Sequence, residues 1–487
     1  MLDILIVNIP GTVDLSPPAA PALLKASIVK AGFSCKTLDL NIRFYSMEKF
    51  STVDLETYFV TGFNSELHTE ADNLIKQWAV EIASYNPKYV GISVFTYQNR
   101  IATTLLCKHL RKYSAIKIVL GGQGLSDGGI LGMQGYAKDM LDQNLADFYI
   151  KSEGEQSLVE LLKGNFSYNG VNSDTFTQIE NLDQLPIPDY SDYEFNLYET
   201  KMFPITGSRG CVRACSFCDI HDHWKYRYRS GQSVANEIIT LSDRYGISSF
   251  GFTDSLVNGN LKEFKNFCSI IAKENKKGKS IGWSGQYIVR SSTQLDDDYW
   301  KNLADSGGHR LAIGVETGSD KVRAHMNKKF TNADLDYTME MLDKYNITCV
   351  FLMIFGYPTE TEQDFQDTLD MFKKYSPLAN RIIKDITFGS TLGILPGTPL
   401  YNNAHEFYIE IDKHENNWIN WDNPSLDLEE RIRRRNYAKE YAISLGYQLE
   451  QDSSENILKI IKNNIPVFNK RNQVKKIIHM KKENKIP

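Results

Sequence analysis

The sequence predicts two consecutive α/β units, a doubly wound parallel sheet followed by a partial (β/α)6 barrel, and then a mainly helical C-terminal region. Three observations carry this. Strand-length apolar runs alternate with helix-periodic stretches over the first third of the chain. The rhythm breaks over residues 164–200 and resumes near Phe203. Alternation of this kind marks parallel sheets with helical crossovers. The expected division is residues 1–165, a linker at 166–200, the barrel at 201–400 and the C-terminal region at 401–487.

In the first unit, Asp3–Ile9, Ser34–Leu40, Tyr89–Phe95, Ile116–Leu120 and Asp147–Lys151 are strand candidates. Tyr89–Phe95 is a continuous apolar run, as in a strand buried on both faces. Helices are expected at Pro21–Ala31, Asn99–Lys112 and Glu155–Leu162. Ligands of such sheets bind beyond the carboxyl ends of the strands, which points to Asn8–Gly11, Ser93–Thr96 and Gly121–Gly124. Residues 164–200 are rich in Asn, Ser, Asp and Tyr, with Pro186 and Pro188 close together, and read as a linker.

In the second unit, Phe203–Thr206, Ser249–Thr253, Ile281–Val289, Leu311–Glu316, Thr348–Gly356 and Asp385–Leu392 are strand candidates. Leu261, Phe264, Cys268 and Ile271 share one helical face, and Phe365, Leu369 and Phe372 another. Six repeats in about 190 residues suit a parallel barrel or part of one, with its site at the carboxyl ends of the strands. Glu429–Leu445 reads as a charged helix. The run 470–487 carries Lys470, Arg471, Lys475, Lys476, Lys481, Lys482 and Lys485. It reads as a solvated tail, with contact to phosphate as the alternative.

The chain has 487 residues, 42% hydrophobic and 24% charged, an ordinary globular balance. A net charge of -5 gives no reason to expect nucleic acid as the main partner. No stretch approaches the roughly 18 apolar residues of a membrane span. The start, Met1-Leu2-Asp3-Ile4-Leu5, lacks the basic region of a signal peptide, so the expected location is the cytoplasm. Seven cysteines in a long chain speak against a disulfide framework.

Three of those cysteines, Cys211, Cys215 and Cys218, form C-x3-C-x2-C directly after the first barrel strand. Cysteine thiolates are the usual ligands of iron–sulfur clusters. A loop this short can hold three corners of one cubane, and with no fourth cysteine nearby one iron stays open to a small molecule. Zinc is the competing reading, since His221 or His223 could complete a Cys3His set.

The triad resembles the signature of the radical SAM superfamily, with Phe217 at the aromatic position. Four further segments are similar to that family in order: Gly251-Phe252-Thr253-Asp254-Ser255, Ile313-Gly314-Val315-Glu316-Thr317-Gly318-Ser319, Phe351 to Glu360, and Leu395-Pro396-Gly397-Thr398-Pro399-Leu400-Tyr401. The resemblance covers about residues 80–400. It implies a [4Fe–4S] cluster on Cys211, Cys215 and Cys218. It also implies S-adenosylmethionine bound by Phe217, Thr253, Asp254, Glu316, Ser319, Ile354 and Gly356. Asp254 also reads as a simple helix cap. Cleavage of S-adenosylmethionine to a 5′-deoxyadenosyl radical is the implied chemistry, with an electron donor such as flavodoxin or ferredoxin and a small-molecule or peptide substrate as partners.

A doubly wound domain ahead of such a barrel resembles the cobalamin-binding subgroup of that family. The matching pieces are Gly91–Thr96, Val119–Gly124 and Ser152-Glu153-Gly154-Glu155. The resemblance implies cobalamin near Ser93, Gly121 and Gly122. No D-x-H-x-x-G is present, and Asp39-Leu40-Asn41-Ile42-Arg43, near the expected place, has no histidine. A vestigial domain, or one that holds substrate, is the alternative. The expected activity is methyl transfer or rearrangement at an unactivated carbon. A methylthiotransferase-like enzyme and a metal-stabilised scaffold are the other readings.

Overall fold

A computed structural model describes residues 1–11, 16–47, 55, 58–59, 62, 65–125, 135–175, 177–389, 391–409 and 421–449. The basic run at 470–487 lies outside them. The first unit contains β1 (Leu2–Asn8), α1 (Ala19–Lys30), β2 (Cys35–Asp39), α2 (Leu40–Tyr45), α3 (Ser65–Ser84), β3 (Pro87–Ser93), α4 (Arg100–Leu110), β4 (Lys117–Gly121), α5 (Tyr136–Asp142), β5 (Phe148–Ile150) and α6 (Gly154–Leu162). Its strands form one parallel sheet in the order β2-β1-β3-β4-β5. Side chains alternate across a strand, so the apolar run of β1 feeds two cores. Ile4 and Ile6 pack with Ile28 of α1 and Leu158 and Leu161 of α6. Leu5 and Val7 pack on the other face with Ile75 and Trp78 of α3 and Leu106 of α4. The sheet is covered on both sides, as expected. The sequence reading did not anticipate α2, α3 and α5.

The second unit continues with β6 (Met202–Ile205), β7 (Ser208–Arg209), α7 (Ile220–His223), β8 (Arg227–Tyr228), α8 (Gly231–Tyr245), β9 (Ser249–Phe252), α9 (Leu261–Lys276), β10 (Gly282–Ser284) and β11 (Gln286–Tyr287). After these come α10 (Asp297–Asp305), β12 (Leu311–Glu316), α11 (Asp320–His325), α12 (Asn332–Lys344), β13 (Cys349–Met353), α13 (Glu362–Tyr375), β14 (Ile383–Thr387), α14 (Pro399–Asn402) and α15 (Leu428–Ser444). Parallel pairing runs β6-β9-β10 and then β11-β12-β13-β14, the order of a partial barrel.

One expected element is corrected. The single strand at Ile281–Val289 is two, broken at Gly285. A Cβ there would lie 2.6 Å from Val257 Cγ1 and 2.9 Å from Phe252 Cβ, so the chain dips toward β9 where only glycine fits. Beyond Tyr287, the buried Asn258 side chain takes both the N–H and the C=O of Ile288, at 3.0 and 2.9 Å, in place of a ladder partner.

The described residues of 166–200 contain only short 3-10 turns, yet they are packed. Tyr190 stacks on Phe203 with ring centroids 4.3 Å apart. Tyr193 donates to the Pro18 carbonyl at 2.9 Å, and Tyr198 to Asp39 at 2.8 Å. The stacked ring of Tyr190 and the bonded hydroxyls of Tyr193 and Tyr198 thus tie the first unit to the second.

Beyond the carboxyl end of β13, α15 docks through arginines. Arg434 pairs with the buried Glu360 at 3.0 Å, and Arg431 lies over the Trp421 ring at 3.7 Å. No helix among the described residues is long and apolar enough to cross a membrane.

Candidate functional site between the sheet and the barrel mouth

The cysteine loop leaves β7 at Gly210, where φ is +78° and a Cβ would lie 2.7 Å from the Lys225 carbonyl and 2.8 Å from that of Trp224. Glycine is needed for that close return. The loop is then pinned by groups other than its thiols. Ser216 N–H donates to the Met326 carbonyl at 3.1 Å, and Leu400 N–H to the Ser216 carbonyl at 2.7 Å. Asn327 Nδ2 donates to the Ala214 carbonyl at 2.6 Å, and Ser216 and Tyr357 share a hydrogen bond of 2.9 Å.

Cys211, Cys215 and Cys218 are half-buried and free. Burial pushes all three thiols up, Cys215 to about 11, against the opposing charge of Lys328. Cys211 accepts a hydrogen bond from Arg213 N–H at 3.3 Å, and the Ile220 N–H is directed at Cys218. Among the described residues no three His, Cys, Asp or Glu side chains are placed to hold a single metal ion. Three thiolates on one zinc would lie within about 4 Å of one another. His221 is exposed.

The other expected site residues fall into two groups. Thr253 is exposed beyond the end of β9, 3.0 Å from Thr206 Oγ1. Phe217 and Ile354 are partly buried against one apolar cluster between the cysteine loop and the barrel. Gly356, at φ +79°, packs against the Arg431 stem. Glu316 ends β12 in the left-handed region at φ +66°, and its carboxylate lies 2.8 Å from Lys328 Nζ. A non-glycine residue held there is a local strain, a feature that concentrates at functional sites. These residues gather at the carboxyl ends of the barrel strands.

Asp254 and Ser319, by contrast, already have protein partners. Asp254 is 3% exposed and accepts from Ser208 Oγ at 2.6 Å and Gly207 N–H at 2.8 Å. Ser319 caps α11 and donates to Asp364 at 2.6 Å. Asp254 is thus no helix cap: it ties the β6–β7 turn to the end of β9.

Burial pushes the Asp254 carboxyl up to about 7, against the hydrogen bonds of Ser208 and Gly207. Between the ordinary 3.8 and 7, the folded chain keeps a proton that the unfolded chain has lost. Stability therefore falls as pH rises through that window and is flat outside it. Burial does the same to Glu360, also to about 7, in spite of Arg434. Thermal melts at a series of pH values are expected to show this decline, and Asp254→Asn to make it shallower. A slope identical in the variant means that Asp254 ionises in the folded chain.

A cavity of about 430 Å³ lies between the two units. One wall is the first sheet, with Gly91–Ser93, Gly121, Gly122 and Ser152–Glu155, and the other is Thr206, Ser208–Gly210, Ile220, Trp224, Thr253 and Ser255. Ser93, Gly121 and Gly122 thus line it as a set. Residues 8–11 do not: Asn8 instead donates to Asp39 at 2.9 Å. None of the lining residues is a His, Cys, Met or Lys.

Beside this cavity lies an ion cluster that sequence reasoning missed. Glu153 takes two hydrogen bonds from Arg227, at 2.9 and 2.7 Å, and lies 3.1 Å from Arg209 Nη1. Arg209 also pairs with Glu155. Burial pushes the Glu153 carboxyl up, but Arg227 and Arg209 outweigh it and hold it below its ordinary value. Arg209 immediately precedes Gly210 and Cys211, so this cluster couples the first sheet to the cysteine loop. Lys328 is the other residue missed, in a polar Asn-Lys-Lys run that reads as surface.

Residues 205–372 match the profile of the Radical SAM superfamily. This part of the chain is a radical SAM domain. An uncharacterized methyltransferase of Pyrococcus horikoshii is 25% identical over 315 residues, 60% of this chain and 65% of that protein. The chain thus spans just under two thirds of that relative's length. Among solved structures, the cobalamin-dependent S-adenosylmethionine radical enzyme OxsB superposes with a TM-score of 0.64 at 14% identity, covering 90% of this chain and 66% of that one. The radical S-adenosylmethionine methyltransferase TsrM of Kitasatospora setae, solved with cobalamin and a [4Fe–4S] cluster, superposes with a TM-score of 0.59 at 18% identity. That superposition covers 83% of this chain and 75% of that one. At these identities the likeness is one of fold. It extends beyond the radical SAM domain to the sheet that precedes it.

Proposed function

We propose that this chain is a cobalamin-associated radical SAM enzyme that transfers a methyl group to, or rearranges, an unactivated carbon of a small-molecule or peptide substrate. The observation that carries the proposal is the shared opening. Gly210 and Ile220, which flank the three-cysteine loop, and Thr206, Thr253 and Ser255 beyond the ends of β6 and β9 line the cavity at the carboxyl edge of the preceding sheet. The donor set fits a cluster better than one ion: three thiols on a loop held by other groups, without convergence on a single centre. Cys211, Cys215 and Cys218 are the proposed cluster ligands. When bound, the reduced cluster supplies the electron that cleaves S-adenosylmethionine, and cobalamin supplies a carrier for methyl groups.

The chain's own part is to place these groups. Phe217, Ile354 and Gly356 offer an apolar and backbone surface for adenosine, and Thr253 and Glu316 offer polar contacts. Asp254 and Ser319 act from behind, by holding the strand-end turns. Ser93, Gly121 and Gly122 present small surfaces to cobalamin. Among the described residues the cavity wall holds no His, Cys, Met or Lys, so its contacts to cobalamin would come mainly from small and apolar side chains and backbone. The electron would come from a single-electron donor protein in the cytoplasm.

The methylthiotransferase reading needs a second cluster in the first unit. Its cysteines, Cys35 and Cys107, are buried in the two cores on opposite faces of the sheet. Burial pushes both thiols up to about 12. They cannot join one cluster.

The test is anaerobic. The full chain is reconstituted with iron and sulfide, reduced with dithionite, given S-adenosylmethionine and assayed for 5′-deoxyadenosine. Hydroxocobalamin is titrated in parallel and followed by its absorbance. Cluster formation, 5′-deoxyadenosine and saturable cobalamin binding are the expected results. Stoichiometric zinc and no cluster would overturn the proposal. An active cluster without cobalamin binding would remove its cobalamin half.

A further inference from the structure

Immediately after α11 the chain crosses the cysteine loop as a strap. The Met326 carbonyl and the Asn327 side chain bond directly to the loop backbone at Ser216 and Ala214, at 3.1 and 2.6 Å. The next residue, Lys328, is 2.8 Å from Glu316, and both side chains are close to nine-tenths buried. Asn327 and Lys329, on either side of it, both sit in the left-handed region at φ +61°, as Glu316 does at +66°. Non-glycine residues held there cost of order 1 kcal/mol each. Three such residues around one buried ammonium indicate a position fixed by its surroundings, not a flexible surface lysine.

The strap thus carries Lys328 past the loop backbone on either side of Cys215, at Ala214 and Ser216. Arg213 is the other cation here, on the loop itself and acting on Cys211 and Cys215.

We propose that Lys328 is a potential-setting residue: a buried, fixed cation beside the cluster that favours its one-electron reduction. The inference rests on the proposed cluster. The step moves a single electron from an external donor onto the cluster and changes no bond. A positive charge nearby stabilises the more negative reduced state, and a neighbouring carboxylate opposes it.

The experiment is a redox titration of the reconstituted full chain without S-adenosylmethionine, followed by electron paramagnetic resonance. Wild type is compared with Lys328→Met, Lys328→Arg and Glu316→Gln, with iron and sulfide counted in each. Lys328→Met is expected to make reduction about tenfold less favourable, about 59 mV for a one-electron couple. Lys328→Arg should stay near wild type, and Glu316→Gln should move the opposite way. A fully loaded Lys328→Met at the wild-type potential overturns the proposal. Should Lys328→Met fail to hold a cluster, Glu316→Gln decides: a rise supports the assignment, and no shift overturns it. A wild-type chain that assembles no cluster sinks the proposed function itself.

Discussion

Replacing any one of Cys211, Cys215 and Cys218 with alanine is expected to abolish the [4Fe–4S] absorbance and the formation of 5′-deoxyadenosine, while leaving the fold intact. The first half follows from ligand count. A three-cysteine site that loses one thiolate keeps two anchors on a loop with no fourth cysteine nearby. The second half follows from how the loop is held. Its shape depends on Met326, Asn327, Tyr357 and Leu400, none of which bonds to a thiol. The bonds to sulfur come from the backbone, a 3.3 Å contact from Arg213 N–H to Cys211 and one from Ile220 N–H to Cys218. Truncating a half-buried thiol should therefore change apo-protein stability by no more than about 0.5 kcal/mol. Iron and sulfide content, absorbance and a thermal melt of the apo-protein check both halves together. An alanine variant that keeps a full cluster shows that the triad is not the ligand set. A variant that melts far below wild type shows that the thiols are structural.

That separation of ligand from scaffold explains what could be read from the sequence. The ligands are local: three cysteines within eight residues are visible without any fold. The sheet was legible because β1 and β3 are apolar on both faces. The helix α3 carries an equally clear spacing, at Ala71, Leu74, Trp78 and Ile82, but sits in a part of the chain with no strand-length runs to frame it. The support of the site was not legible. Lys328 meets Glu316 across twelve positions, and Arg227 meets Glu153 across seventy-four. Glu316 and Glu153 stand in recognisable segments, but nothing in the sequence pairs them with Lys328 and Arg227 until the fold brings them together. The break at Gly285 was hidden for a related reason, because the groups that crowd it come from another strand and its following loop. The tyrosines of 166–200 likewise lie in a polar composition that suggests a loose linker, and only their packing shows them to be part of the core.

The second large effect is expected at Glu153. Its carboxylate and the Arg227 guanidinium are both under 5% exposed as side chains, and Arg209 completes the set. Two ions taken from water so completely depend on each other for most of their charge compensation, with Arg209 and the Ile179 backbone beside them. Removing one leaves an uncompensated buried charge, a loss of about 3–5 kcal/mol. Glu153→Gln should therefore lower the melting temperature sharply. Glu160→Gln should leave it unchanged, since Glu160 lies in α6, the helix that Glu153 precedes, but pairs with an exposed lysine. The loss comes from stranding Arg227, not from forfeiting a large net attraction, so the double variant Glu153→Gln, Arg227→Met should recover part of it. The position of the pair gives the loss a functional direction. Glu153 belongs to the first sheet's wall of the cavity, and Arg209 leads directly into Gly210 and Cys211. Glu153→Gln should loosen the two units as well as destabilise them, seen as faster proteolysis within 166–200 and weaker cobalamin binding. If Glu153→Gln melts with wild type, the ion cluster is hydrated in solution, and the register between sheet and cysteine loop must come from the buried tyrosines alone.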